Sequence, residues 1–347
     1  MEHGHHPTPD KIMQIGMGFW ASKVVLAAVD LGLFTLLTQK KMGGPEIKKQ
    51  LKLGTSDRHI YDFLDALVSL GFLQREGLLD SAVYANTPET ETFLDEKKPS
   101  FIGGILKMAN HRLYHFWGDL EEGLKTGQAQ NESKGNLMEG GGFEMLYQDQ
   151  QKLEEFMDAM RGIQTGNFMI LADKFKFDDY QKMVDVGGAD GWLSILVCQK
   201  HQKIHCTTMD LPPVGPLATK RIAGFGLQDR ISFLGGDFMK DPIPAADVIT
   251  MGNIIHGLDE ETKQTLVNKV YQSLNKDGVL ITIENVIDND RRQNTFGLLM
   301  SLNMLIENGN AFDYTMDDFE RWAKKAGFKK TERVALAGPT SAAIAFK

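Results

Sequence analysis

The segment Asp185-Val186-Gly187-Gly188-Ala189-Asp190-Gly191 decides the fold of the C-terminal half of the chain. It follows a short apolar run at 183–186 and precedes an apolar, helix-forming segment at 192–200. A glycine-rich turn between a strand and a helix lets backbone N–H groups and the helix N-terminus approach a ligand closely. The segment therefore predicts a nucleotide-binding loop, although glycine-rich turns also occur for purely steric reasons.

The alternation of strand and helix continues from this loop to the end of the chain. Further strands are predicted at 204–209, 231–234, 247–251 and 279–283, further helices at 215–224 and 260–274, and a terminal strand pair at 330–336 and 341–346. Such alternation predicts an α/β domain with a largely parallel, Rossmann-like sheet. Ligand sites in a sheet of this kind lie at the carboxyl ends of the strands.

Acidic residues end three successive predicted strands, at Asp185, Asp210 and Asp237. Asp210 can accept hydrogen bonds from both hydroxyls of a ribose, Asp237 can accept one from an adenine amino group, and Phe238 offers a face for stacking. Helix capping and loop solvation are the alternative explanation for these acids. Asp185 and Asp190, on either side of the glycines, predict repulsion of a pyrophosphate and attraction of a cation. S-adenosylmethionine, with its sulfonium and amino groups, fits that charge better than a dinucleotide does.

The first half of the chain is predicted to be almost entirely helical. A helical pattern over 10–37, broken by Gly16, Gly18 and Gly32, is followed by helices from Pro45 and at 56–70 and by a hairpin over 72–84. This is the order of a winged helix. Two more helices, at 101–124 and 144–174, flank a polar, glycine-rich loop at 126–142. We therefore predict two domains, residues 1–174 and 175–347.

A winged helix raises the alternative that the protein is a DNA-binding regulator. The predicted helix at 56–70 carries Asp57, Asp62 and Asp65 but only Arg58 as a firm positive charge, and such a surface meets phosphates badly. The whole chain has a formal net charge of −8 and no long basic run. Neither nucleic acid nor an anionic membrane is an expected partner.

Composition also indicates the compartment. The two cysteines, Cys198 and Cys206, lie in apolar stretches, which favours buried free thiols and a cytoplasmic location. The longest apolar run near the start, 24–29, is too short to span a bilayer. The histidines in the first seven residues have no metal-ligand spacing, so we expect a mobile terminus there and no metal site.

These residues resemble the S-adenosylmethionine-dependent O-methyltransferases of the plant caffeic-acid and acetylserotonin type, together with their bacterial relatives. The most specific segments are the loop at 185–191, Asp210-Leu211-Pro212-Pro213-Val214, Gly236-Asp237-Phe238 and Asn253-Ile254-Ile255-His256, which occur in the order of the family. The first half, with Gly32-Leu33-Phe34, is similar to the dimerisation domain of the family. The resemblance therefore implies a homodimer, with residues 1–174 also serving as a lid over the substrate.

The resemblance also implies which residues hold the cofactor and carry the reaction. His256, just beyond a strand end, corresponds to the general base of the family, and Glu284 and Asp313 correspond to the two acids that orient it. The expected cofactor-binding residues are Asp185, Gly187, Gly188, Gly191, Asp210, Leu211, Asp237, Phe238, Gly252 and Asn253.

Two departures from the family pattern concern the cofactor. Gly257-Leu258 stand where the family usually has Asp-Trp, and Ala189 replaces the middle glycine of the loop. Neither position carries proton chemistry, so they predict an altered adenine pocket rather than a different reaction. Some relatives with this fold are hydroxylases, decarboxylases or pericyclases that keep the cofactor without using its methyl group, and this is the alternative function.

An acceptor pocket is expected where the first half meets the sheet edge. Phe156 and Met160 match family positions that clamp an aromatic acceptor, and Met300, Asn303 and Met304 lie on the helix after Glu284. Methionines at this spacing are also common as core filler. The predicted function is O-methylation of a small, aromatic or polycyclic hydroxyl compound.

Overall fold

The computed structural model describes residues 7–132, 134, 147 and 150–347. Contacts divide the chain into two compact units, residues 1–114 and 115–347. This division falls earlier than the predicted boundary at 174/175, because the helices after residue 114 pack with the C-terminal unit. The predicted boundary follows the change in secondary structure rather than the change in packing, and it stays a prediction.

The first unit contains helices and a small sheet in the order of a winged helix, as predicted. Its helices are Asp10–Gly16, Gly18–Asp30, Leu33–Gln39, Gly44–Gln50, Asp57–Ser69, Pro88–Phe93 and Gly103–Met108. Its strands are β1 (Met42–Gly43), β2 (Leu73–Glu76) and β3 (Val83–Asn86), hydrogen-bonded in the order β1-β3-β2. The helical pattern predicted over 10–37 forms three helices. It is interrupted at Met17, between the predicted breaks at Gly16 and Gly18, and at Gly32, whose φ of 70° is a left-handed conformation that glycine adopts freely.

The first two helices leave much of their apolar surface exposed. The segment Asp10–Asp30 has a mean hydropathy of 1.5 and is long and apolar enough to cross a membrane, so the short run at 24–29 underestimated it. The large exposed side chains of the segment are Ile12, Met13, Ile15, Met17, Phe19 and Trp20. Length and composition do not distinguish a membrane helix from one that another protein surface covers.

The second unit is built on a seven-stranded sheet. Its strands are β4 (Lys182–Val186), β5 (His205–Asp210), β6 (Ile231–Gly235), β7 (Ala246–Gly252), β8 (Leu274–Glu284), β9 (Lys330–Ala335) and β10 (Ser341–Phe346). They are ordered β6-β5-β4-β7-β8-β10-β9, with the first five parallel to one another and β10 antiparallel to both of its neighbours. The predicted α/β fold is confirmed.

Helices follow the parallel strands as the alternation predicts. The helices of this unit include Leu120–Thr126, Gln150–Lys174, Trp192–Lys200, Gly215–Gly224, Glu260–Ser273, Thr295–Asn308 and Met316–Ala326. The loop predicted at 126–142 and the start of the helix predicted from 144 fall largely outside the described residues. Cys198 and Cys206 are buried free thiols with their sulfurs 3.5 Å apart.

Strand order places the candidate residues at one edge of the sheet. The chain reverses its direction of winding between β4 and β7, and ligands in such sheets bind outside the strand ends at that point. Asp210, Gly252 and Glu284 are the last residues of β5, β7 and β8, and Asp185 pairs in register with Thr250 of β7. Acids from separate parts of the sequence therefore converge beside the glycine loop.

Candidate active site

The loop after β4 needs glycine at several positions, because a side chain there would clash with neighbouring atoms. Gly187 has a φ of +67°, and a Cβ at this position would lie 2.2 Å from Ile254 Cδ1. A Cβ at Gly188 would lie 2.6 Å from Asp185 Oδ2, and Gly191, with a φ of +80°, is the N-cap of the helix Trp192–Lys200. Ala189 is also left-handed, with a φ of 48°, so the alanine keeps a conformation that glycine adopts at lower cost.

Asp210 holds the loop in this conformation. Its Oδ2 accepts a hydrogen bond from Ala189 N at 2.8 Å, and its Oδ1 accepts one from Leu211 N at 2.7 Å. Each carboxylate oxygen can accept a further bond, so the group can still receive two hydroxyls of a ligand. Burial raises the pKa of Asp210 to about 6, although the two backbone bonds oppose that rise.

Asp185 lies beneath the loop and is buried. Its Oδ1 accepts a hydrogen bond from Thr250 Oγ1 at 2.7 Å. Burial raises its pKa to about 7, and the charge of Asp210 adds to the rise while the Thr250 bond opposes it. A nearby cation would favour the ionised form, because it replaces the solvation that the carboxylate has lost.

The expectation for Asp190 is wrong. Its Oδ2 lies 2.7 Å from Arg161 Nη1 and 2.5 Å from Arg221 Nε, and the side chain is nearly buried. Arg161 also pairs with Asp158 at 2.5 Å. Asp190 is therefore neutralised within the protein and anchors the helix Gln150–Lys174 to the loop.

A cavity of about 210 Å³ opens on the Asp190 side of the loop. Its lining includes Asp158, Asp190, Leu217, Lys220, Arg221 and Phe225. The lining contains none of the predicted catalytic residues, and two of its acids, Asp158 and Asp190, are ion-paired to Arg221. We do not assign this cavity to the reaction. Among the described residues, no group of three His, Cys, Asp or Glu side chains could hold a metal ion.

The remaining predicted cofactor residues also lie at this edge. The Oδ1 of Asp237 accepts a hydrogen bond from Met239 N at 2.9 Å, and its Oδ2 lies 3.2 Å from Lys240 Nζ. The Phe238 ring lies near Gly187, 3.9 Å from a Cβ built there. Asn253 is left-handed, with a φ of 55°, and its N–H donates to the carbonyl of Ile283 at 3.2 Å.

His256, Glu284 and Asp313 form one buried cluster. His256 lies in the short helix Ile255–Gly257 after β7, and its backbone N–H donates to Glu284 Oε1 at 3.1 Å. Its Nδ1 lies 3.5 Å from Asp313 Oδ1. The exposed fraction is 8% for His256, 0% for Glu284 and 1% for Asp313. Within the described part of the chain, His256 Nδ1, Glu284 Oε2 and both Asp313 oxygens have no hydrogen-bond partner.

The two acids raise the basicity of the imidazole. Burial alone lowers the pKa of His256, but the contact with Asp313 and the charge of Glu284 outweigh it, so the pKa is raised above its usual value. Burial also raises the pKa of Glu284. This arrangement suits a group that takes up a proton during a reaction.

Several buried side chains near the catalytic cluster and near Asp210 were not identified from the sequence. Lys263 is fully buried near the cluster, and Tyr314 is buried with its hydroxyl 2.8 Å from Thr282 Oγ1. Burial raises the pKa of the Tyr147 phenol, and the charge of Asp210 adds to that rise. Lys263 follows an Asp-Glu-Glu-Thr segment, so its sequence neighbours are polar.

The predicted acceptor residues lie on two helices of this unit. Asn303 and Met304 are buried on Thr295–Asn308, and Met300 is half-buried one turn earlier. Asn303 Oδ1 accepts a hydrogen bond from Trp117 Nε1 at 2.8 Å, which orients its amide. Phe156 and Met160 are half-buried on Gln150–Lys174, the helix that Arg161 anchors.

Two family models match the chain. The O-methyltransferase domain matches residues 117–329, and the O-methyltransferase dimerisation domain matches residues 13–96. The chain belongs to this O-methyltransferase family. The family resemblance seen in the sequence is therefore confirmed, and the protein is an S-adenosylmethionine-dependent O-methyltransferase.

Individual relatives of the O-methyltransferase cover nearly its full length. The tetracenomycin polyketide synthesis 8-O-methyltransferase of Streptomyces glaucescens is 35% identical over 99% of this chain and 98% of its own. An N,N-dimethyltransferase of Streptomyces rimosus is 27% identical over 93% and 92%. The crystal structure of human N-acetylserotonin methyltransferase with S-adenosylmethionine has a TM-score of 0.89 and 24% identity, covering 100% and 99%.

The residues of this O-methyltransferase fit its cofactor. The loop provides a cradle that a Cβ at Gly187 or Gly188 would fill. Asp210 can accept further hydrogen bonds, as from a ribose. Asp185 is a buried acid with a raised pKa, and a nearby cation would stabilise its ionised form. This set of donors and acceptors matches a ligand that combines a nucleoside with a positively charged amino acid.

Proposed function

We propose that this O-methyltransferase methylates a hydroxyl of a small aromatic or polycyclic acceptor, with His256 as the general base. The observation that carries the proposal is the buried contact between His256 and Asp313 beside Glu284, at the sheet edge next to the glycine loop. A phenolic or enolic hydroxyl loses its proton too slowly without a base at neutral pH, and imidazole is matched to that task.

The protein residues perform the proton transfer and the positioning. Bound S-adenosylmethionine supplies an electrophilic methyl group. His256 accepts the proton of the acceptor hydroxyl, and the imidazolium later releases that proton to solvent. The methyl group would pass from the sulfonium to the acceptor oxygen, with S-adenosylhomocysteine as the leaving group. Asp313 and Glu284 stabilise the protonated imidazole and hold its position. Most of the remaining rate acceleration comes from holding the acceptor hydroxyl in line with the methyl group.

The cofactor site we propose comprises the loop glycines Gly187, Gly188 and Gly191 with the acids around them. Asp210 would hold the ribose, Asp185 the positively charged amino-acid portion, and Asp237 with Phe238 the adenine. Leu211, Gly252 and Asn253 complete the site at the ends of β5 and β7.

The acceptor site we propose is lined by Met300, Asn303 and Met304, with Phe156 and Met160 on the preceding helix. Polarisable thioethers and an aromatic ring suit a flat apolar ligand. Because the Trp117 indole occupies the Asn303 oxygen, the amide N–H groups of Asn303 remain available to a ligand carbonyl or hydroxyl.

We also propose that the enzyme acts as a homodimer in the cytoplasm. The matched dimerisation domain includes most of the exposed apolar segment Asp10–Asp30, and a second copy of the chain would cover that surface. Two buried free thiols are consistent with a reducing compartment.

Incubation with S-adenosylmethionine and a panel of acceptors tests the proposed reaction. The panel holds phenols, quinols and polycyclic hydroxyketones, with matched amines as a second arm because one relative is an N,N-dimethyltransferase. We expect one equivalent of S-adenosylhomocysteine for each methyl found on a hydroxyl oxygen, measured by mass spectrometry. Methylation of the amines alone contradicts the proposal.

The alternative is an enzyme that keeps the cofactor without using its methyl group. Such an enzyme binds S-adenosylmethionine, forms no S-adenosylhomocysteine with any acceptor, and converts a compound of the panel into a product of unchanged methyl content. The cluster of one base and two acids favours methyl transfer, because a base is needed to deprotonate the hydroxyl.

The affinity for S-adenosylmethionine should depend on pH through Asp185. Its pKa is raised to about 7 in the free protein, and a bound cation favours the ionised form. Binding therefore releases a proton below pH 7, and the Kd should fall about tenfold between pH 6 and pH 8. Isothermal titration in buffers of different ionisation enthalpy measures both the Kd and the released proton. The Asp185→Asn variant should lose most of this dependence; if its pH profile matches that of the wild type, Asp185 is not the group responsible.

A further inference from the structure

Lys263 is a fully buried lysine in the helix Glu260–Ser273. A buried ammonium is costly unless charges or hydrogen bonds compensate for its lost solvation. Its Nζ donates to the carbonyl of Leu258, two residues after His256. On its other side the amine lies 3.4 Å from the centre of the Phe312 ring, and Phe312 precedes Asp313. The lysine thus lies between the two segments that carry the proposed base and one of its acids.

The charges around Lys263 form an almost balanced group. Glu284 and Asp313 face it from β8 and from the segment before helix Met316–Ala326, and His256 faces the same two acids. Asp259 and Glu260 lie at the start of its own helix, and Glu260 pairs with Arg321. Two buried acids are thus matched by one lysine and by one histidine that can take up a proton.

We propose that Lys263 is a positioning residue for methyl transfer, whose buried ammonium offsets one of the two acids and keeps His256 in its neutral, proton-accepting form. This inference rests on the proposed role of His256 as the base. Without Lys263, Glu284 and Asp313 act on the imidazole alone and hold a proton on it at neutral pH. With Lys263, the imidazole takes up a proton when the acceptor delivers one.

A purely structural role would depend on the hydrogen bond to Leu258 and not on charge. Three substitutions separate these roles. Lys263→Met removes both the charge and the donor, Lys263→Gln removes the charge but keeps a donor, and Lys263→Arg keeps both. Lys325→Met removes an exposed lysine of the helix Met316–Ala326 and serves as the matched control.

The decisive measurement is the pKa of the His256 imidazole by NMR in histidine-labelled enzyme, with the resonance assigned from the His256→Gln spectrum. We expect a rise of about one pH unit in both Lys263→Met and Lys263→Gln. Lys263→Arg and Lys325→Met should match the wild type. Equal His256 pKa values in the wild type and both neutral variants overturn the proposal, and a shift in Lys263→Met alone assigns the effect to the hydrogen bond instead.

Two further measurements, a kcat–pH profile and an NMR titration of the lysines, test the same proposal. The acid limb of the kcat–pH profile should move with the imidazole pKa, so Lys263→Met should be about tenfold slower below the limb and equal to the wild type above it. In lysine-labelled wild-type enzyme, one lysine absent from the Lys263→Arg spectrum should titrate near pH 8, because burial lowers its pKa. If that lysine titrates below pH 6, its amine is uncharged at neutral pH and the proposal fails even when the neutral variants do not fold. Full activity of His256→Gln would refute the base without affecting the NMR result.

Discussion

Replacing His256 by glutamine should lower kcat by a factor of about 10²–10⁴, because a general base contributes that much to a proton transfer. Glutamine keeps a polar side chain of similar length but cannot accept the proton. His256 is 8% exposed, and its backbone N–H remains free to bond Glu284 in the variant. The Kd for S-adenosylmethionine should stay within about threefold of the wild-type value, since an interaction used in the transition state is lost rather than one used in binding.

The pH profile supplies a second signature of this base. Because the pKa of His256 is raised, kcat of the wild type should increase with pH through a limb above 6.5, where the imidazole becomes neutral. The limb should be absent from His256→Gln. His205→Gln is the matched control, since His205 is exposed at the start of β5. A kcat within tenfold of the wild type in His256→Gln would contradict the assignment and favour the cofactor-retaining alternative.

Local patterns predicted the α/β half of the fold well. The helices at 192–200 and 215–224 and the strand at 341–346 have the bounds that hydrophobic spacing and glycines indicate. The acids at strand ends were found because strand ends in a parallel sheet share one edge. At 10–37 the apolar pattern divides into three helices beside the glycines that break it.

Long-range pairing is what the sequence could not reveal. Asp190 looked like a ligand for a cation because its partners, Arg161 and Arg221, are distant in the chain and belong to different helices. Sequence analysis did not single out Lys263, because charged neighbours surround it in sequence, while its contacts in the interior are with Phe312 and with the turn after His256. Pairing of this kind is set by tertiary packing and leaves no local pattern.

Asp210→Asn should weaken binding of both S-adenosylmethionine and S-adenosylhomocysteine by about 10²-fold. Two charge-assisted hydrogen bonds to the ribose are lost or weakened, each worth about 1.5–3 kcal/mol. The asparagine amide group also meets either Ala189 N–H or Leu211 N–H as a donor facing a donor, which disturbs the left-handed Ala189. Because the ribose is common to both ligands, the ratio of their Kd values should not change.

Asp247→Asn is the matched control for this loss of affinity. Asp247 also accepts two backbone N–H bonds, from Gln181 and Lys182, but at the start of β4 and away from the loop. Isothermal titration of both variants with both ligands separates the loss of a ribose contact from the loss of carboxylate bonds to backbone N–H groups. Equal weakening in the two variants, or an Asp210→Asn effect on S-adenosylmethionine alone, would contradict a ribose contact. The first outcome would indicate a loss of sheet stability, and the second would move the cation site from Asp185 to Asp210.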